Sequence, residues 1–455
     1  MLRPLPTAAL TAALLLAPSA PAVADQDFLQ AFQADLYSGQ IANAAALSTA
    51  RLATVPDDPQ AQFALGSAQF LQAVEHLVQG FHRYGLRTTY ERWGLGLLPF
   101  LRLPVPDNPN PEPITYEALR DLLARFVDDL ATADRTLAGV RGEASLPLNL
   151  GGIRLDFDGD GTAGAQERLA DIVLKVTGMR SMPMSLDMMD VGFDNGDVLW
   201  LRAYCNLLMA IADFPLGYDF HETYDVTFRG IFPKGKFSSS KLAENEAAIV
   251  KQLQDIGPVK PFTAPWDPQK YSDWLKTDEG KRFKAAQDLQ WKLDWGGVSD
   301  LIAFIHLMHW PVADEGRLMD VLGHAEKMVA LSRASWNSIL AETDDNREWI
   351  PNPKQQGVLP GMRVTADTVS GWMRLLDELD GILGGRILLP HPRFIQGINV
   401  RRMLLEPDVF DPVLMLQGSG IERYLEDGPL TDPDVWGRLM QLSQGNFLGY
   451  FLWIN

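Results

Sequence analysis

Asp156, Asp158 and Asp160 alternate along "LDFDGDGTAGAQERL", Gly161 follows, and Glu167 closes the stretch. Alternate carboxylates in a curling loop converge on one centre, and four acids in that register repel one another unless a cation sits among them. Calcium is a hard cation that takes about six to eight oxygens. Numbered from Asp156, the acids stand at positions one, three, five and twelve, and the turning glycine at six. Thr162, at position seven, would offer its backbone carbonyl, and Glu167 would give two oxygens at once. Gly164 at position nine has no ligating side chain, so a water belongs there. The alternative is a solvated acidic turn built on Asp160-Gly161.

This pattern resembles the EF-hand loop at each acidic position and at the glycine. The resemblance covers residues 156–167 and the helix that leaves them, and it implies calcium held by Asp156, Asp158, Asp160, Thr162 and Glu167. Two features depart from the family. Ala163 stands at position eight, where a larger apolar residue joins a partner loop, and no second loop of this kind occurs in the chain. The approach, "LNLGGIRL", reads as extended where the family has a helix. The loop is therefore similar to the solitary EF-hand-like loops of secreted bacterial proteins, and a structural role is expected for it.

Other constellations carry weaker chemistry. Met179, Met182, Met184, Met188 and Met189 put soft sulfur into one short segment, which suits monovalent copper but equally suits adaptable apolar filler. His306 and His309 share a helix face, with His324, Asp300 and Asp314 as further zinc ligands to consider, yet no HExxH occurs and core histidines are the plainer reading. Seven of the twelve tryptophans fall between Trp266 and Trp349. They would line a sugar cleft with Asp294 or Glu315 as acids, or pack a core and dock loops; packing is the reading preferred here. Arg393, Arg401 and Arg402 would bind an anion or pair with local acids. The single cysteine, Cys205, lies in an apolar helix and reads as a buried, inert thiol. No phosphate loop, dinucleotide fingerprint or GxSxG elbow is present, so no catalytic set is assigned.

The elements that must position these residues are helices. Apolar periodicity predicts an all-α fold: one large helical domain or helical array, with minor extended segments near the calcium loop. Residues 25–100 read as repeat-like hairpins, 101–116 as a proline-rich loop, and 117–455 as a mainly helical body. Within the hairpins Gly39, Ala44, Pro56, Leu65 and Gly66 fall at spacings similar to a tetratricopeptide repeat. That resemblance covers about residues 26–84, although Gln69 stands where an aromatic is usual. "YDVTFRGIFPKGKFSSS" is compatible with a short hairpin or a long loop. Helices are expected from Asp197, as N-cap, through Phe214, and from Gly297 through Trp310.

Arg3, the apolar run from Ala8 to Ala17 and the small residues Ala22 and Ala24 read as a signal peptide over residues 1–24, which implies a periplasmic or secreted protein. The run is too short to span a bilayer, and no later stretch is long and apolar enough. The net charge of −18 argues against nucleic acid or anionic membrane and favours cations. The expected role is that of a binding or scaffold protein for a protein or glycan ligand. The alternatives are a carbohydrate-active hydrolase using the tryptophan-rich region and a copper-handling protein using the methionines.

Overall fold

The computed structural model describes residues 20–87, 103–164, 167–172, 189–237, 240–345, 347–359 and 363–442. The first three helices, α1 (Ala20–Tyr37), α2 (Ile41–Thr54) and α3 (Pro59–Arg83), are joined by turns of three and four residues and pack on one another in order. Short turns between packed helices make antiparallel hairpins. Each start has a local cause. Asp58 caps α3 by accepting the Ala61 N–H at 3.0 Å, and Pro59 fills its first turn, where a missing N–H costs nothing. After the proline-rich segment, Thr115 caps α4 (Tyr116–Leu137) in the same way.

Two strands follow, β1 (Leu146–Asn149) and β2 (Asp190–Phe193), paired antiparallel with Leu146 opposite Phe193. The next helix, α5 (Asn195–Leu216), begins three residues before the expected position. Asp194 is the N-cap, and Asp197 sits at the third helical position with its carboxylate accepting the Asp194 N–H at 3.0 Å. This reciprocal capping box satisfies two otherwise orphaned donors, and explains why Asp197 looked like a cap in the sequence. The segment read as a hairpin or loop holds no strand among its described residues: it forms α6 (His221–Thr227) and a 3-10 turn at Phe228–Gly230.

The helices α7 (Ser240–Ile256), α8 (Pro268–Leu275) and α9 (Asp278–His306) form one arm, α7 and α8 both packing on α9. The Gly296-Gly297 pair suggested a helix start. Instead α9 runs through it from Asp278, capped by Thr277. Then come α10 (Glu315–Ala341) and α11 (Ala366–Leu383), β3 (Leu389–Pro390) and β4 (Gly397–Ile398), the short helices α12 (Val400–Leu405) and α13 (Pro412–Gln417), β5 (Leu425–Glu426) and α14 (Pro433–Leu442). The three small strands make an antiparallel sheet in the order β3-β4-β5.

The architecture is all-α with minor strands, as the periodicity implies. Helix packs on helix along the chain: α3 on α4, α4 on α5, α5 on α10, α10 on α11. One apolar core runs from Phe32 and Leu36 in α1 to Trp336 and Trp372 in α10 and α11. Charge is set into it with partners. Asp134 of α4 accepts from Arg202 of α5 at 3.0 Å and also from Lys327 of α10. Asp213 of α5 accepts from Arg317 of α10 at 2.6 Å. A buried carboxylate is tolerated when paired in this way. No described helix is long and apolar enough to cross a membrane.

Candidate metal loop

Two hydrogen bonds close the neck of the loop. The Leu155 N–H donates to the Glu167 carbonyl at 2.9 Å, and the Leu169 N–H to the Ile153 carbonyl at 3.1 Å. The approach is therefore extended, and a helical turn at residues 169–172 leaves the other side. This neck puts positions one and twelve side by side. Ligating oxygens of Asp156, Asp158 and Glu167 lie within 4.8 Å of one another. Asp156 and Glu167 are buried and Asp158 is exposed.

The backbone wraps around Asp156. Its Oδ1 accepts the Gly159 N–H at 2.8 Å and the Asp160 N–H at 3.2 Å, and its Oδ2 accepts the Gly161 N–H at 2.9 Å. Gly161 adopts φ of 89°, a left-handed conformation that side chains resist, and this turn aims its N–H inward. Glu167 Oε1 accepts the Phe157 N–H at 2.9 Å, and Oε2 accepts the Gly164 N–H. Asp160 takes another course. Its Oδ1 accepts from the Thr162 N–H at 2.8 Å and the Thr162 hydroxyl at 2.7 Å, which holds its carboxyl below the ordinary range. The fold thus brings together three of the four acids and turns the fourth to Thr162.

The loop is seated on the N-terminal hairpins. Glu75 of α3 accepts the Asp156 N–H at 2.8 Å, and Gln79, one turn on, donates to the Asp156 carbonyl at 2.7 Å. Burial, and next to it the nearby charge of Asp156 and Glu167, raises the Glu75 carboxyl to about 7 against the pull of the Asp156 N–H. Position eight meets the α1–α2 turn: a Cβ on Gly39, whose φ is 78°, would lie 2.2 Å from the Ala163 Cβ. The small residue at position eight therefore fits its own chain. Glu75 and Gln79 escaped the sequence reading because they lie about 80 residues from the loop. A buried-side glutamate on the apolar helix α3 was the available signal.

A second acid group lies at the start of α5. Oxygens of Asp194, Glu342 and Glu348 lie within 4.8 Å of one another. Burial, followed by the charge of Asp194, raises Glu342 to about 7, and burial holds Asp197 well above the ordinary carboxyl range. Neutral acids are favoured there, so retained protons relieve the repulsion.

The remaining sequence features separate. Met179, Met182, Met184 and Met188 lie outside the described residues, while Met189 is buried in the core. Helix α9 ends at His306, so His309 lies beyond it and the two do not share a helix face; His309 pairs with Asp411 at 2.9 Å, His324 meets Asn206 at 3.1 Å, Asp300 is paired to Arg229, and Asp314 caps α10. No metal-ligating group among the described residues includes these histidines. Arg401 pairs with Glu326, and Arg402 with Glu406 and Glu426. Cys205 is buried, and burial pushes its thiol up. The tryptophans divide: Trp336 and Trp349 are core, whereas Trp266, Trp291 and Trp295 are exposed. Asp294 accepts from Gln290 of its own helix at 2.8 Å, and Glu315 stands in the first turn of α10. No family model matches this chain, and neither a curated protein nor a solved structure matches it.

Proposed function

We propose that this chain is a secreted or periplasmic helical binding or scaffold protein that holds a structural calcium in the loop 156–167. One observation carries the reading: two buried carboxylates and one exposed one, drawn from positions one, three and twelve of a single loop, face each other within 4.8 Å. Asp156 and Glu167 would ligate from the buried side, Asp158 from the open side, and the Thr162 carbonyl would join them. Asp160 would complete the set by releasing Thr162. The ion's role is to hold "GGIRL" and the segment after Glu167 together against α3, because Asp156 bonds to Glu75 and Gln79 there and Glu167 is tied to Leu155 across the neck.

An affinity on the order of 10⁻⁴ M suits an extracellular module. Binding to the folded state alone raises stability by mass action, by about 2.7 kcal/mol at a hundredfold excess over Kd. The experiment is a melting curve in calcium and in chelator, with titration calorimetry beside it. A higher midpoint in calcium and one-site binding are expected. A chelator-insensitive midpoint with no heat at millimolar calcium would leave only an acidic turn.

A further inference from the structure

From Trp291 onward, helix α9 buries one side only. Gly297, Asp300 and Phe304 are buried, while Trp291 is 64% exposed, Trp295 60%, Ile302 62% and Ile305 44%. With the half-buried Val298, these five recur at spacings of four, three, four and three. That is the seam of a coiled coil, running roughly 21 Å at 1.5 Å per residue. The two indoles lie near parallel, 6.3 Å between ring centroids, and no charge interrupts the stripe. Val413 and Leu414 of α13, a helix that packs on α9, are exposed as well. A patch of this extent marks an interaction surface.

We propose that α9 pairs with α9 of a second copy of this chain, antiparallel, about a two-fold axis. The seven-residue repeat selects a helix as the occupant, because knobs on such a seam fit the holes of another helix. The order of sizes selects the copy and its direction. Large residues stand at the N-terminal end of the stripe and smaller ones at the C-terminal end. An antiparallel copy sets Trp291 against Ile302 of the second copy and Trp295 against Val298 of the second copy, so each layer holds one large and one small side chain. A parallel copy would stack indole on indole. In this register Asp288, which pairs with Lys284 of its own helix at 3.6 Å, falls opposite Ile305 of the second copy, with His306 of that copy next to it. A two-fold contact uses one patch twice, which is how a self-complementary stripe closes.

Sedimentation velocity on the full chain at micromolar concentration tests the pairing. A dimer is expected, and Trp291→Asp with Ile302→Asp should give a monomer with unchanged far-ultraviolet dichroism. Val298→Trp should weaken the dimer roughly tenfold by overpacking the layer against Trp295. Adding Trp295→Val to it should restore the dimer, because the large and small partners are exchanged. A monomeric wild type overturns the proposal, whether acrylamide quenches the indoles or finds them covered by another part of the same chain. So does a dimer indifferent to the aspartates, or one that the exchange fails to restore.

Discussion

Glu167 holds both ends of its loop, with one oxygen on the Phe157 N–H and the other on the Gly164 N–H. An ion must compete with these donors for the same oxygens, and only a charged carboxylate at position twelve makes the exchange favourable. Glu167→Gln should therefore weaken calcium binding by at least an order of magnitude, roughly the cost of one charge-assisted contact. Asp160→Asn should cost less, because Asp160 spends its Oδ1 on Thr162 and must break those bonds to ligate. Calorimetry on both variants gives the ranking. Equal losses would mean that Asp160 is a full ligand in the bound loop. The acids beside α5 behave differently. The folded Glu342 titrates near 7 and its unfolded counterpart near 4.5. The folded state thus binds more protons across that window, and stability falls as pH rises through it. The facing groups are Asp194, Asp344 and Glu348, with Gln355 donating to Glu342 at 3.3 Å. Glu342→Gln should flatten the decline between about pH 5 and 7 in denaturant midpoints; an unchanged slope would assign it to other groups.

At the scale of elements, the α1–α2 turn decides what position eight of the loop can be. Gly39 has no Cβ, and one there would lie 2.2 Å from the Ala163 methyl. Ala163→Leu should destabilise the protein by about 1–3 kcal/mol through overpacking, read from urea midpoints, and should lower calcium affinity with it. A neutral outcome would mean the turn yields freely. The sequence made much of this scale legible. Period and caps mark α1 to α4, α10 and α11, because Asp58, Thr115 and Thr365 stand next to apolar runs. The acids of the loop were legible because their types and spacing lie within one short segment, residues 156–167. What escaped was non-local or ambiguous. Glu75 reaches the loop only through the packing of α3, and α9 extends back to Asp278, well before Gly297 where a helix was expected to begin. The 224–230 stretch carries β-branched and aromatic residues that favour strands in isolation, yet Tyr224 and Phe228 meet at a tilt, 5.5 Å between ring centroids, on a helical turn and are buried.

For the whole molecule, the helices α1 to α6, α10 and α11, with Phe304 of α9, share one core, and the loop clasps its N-terminal end. Asp156 is tied to Glu75, 81 residues earlier in the chain. A contact of that span forms only after the intervening helices have assembled, since chain closure must be offset by packing already gained. The loop therefore belongs to the late part of folding. An ion that binds only the finished loop stabilises the native state without touching the transition state, so its whole effect falls on escape from the native basin. In stopped-flow experiments calcium should slow unfolding by about the factor it adds to the equilibrium constant and leave the refolding limb where it was. If calcium speeds refolding instead, the loop closes early on its own local turns, and Glu75 docks onto a site already made.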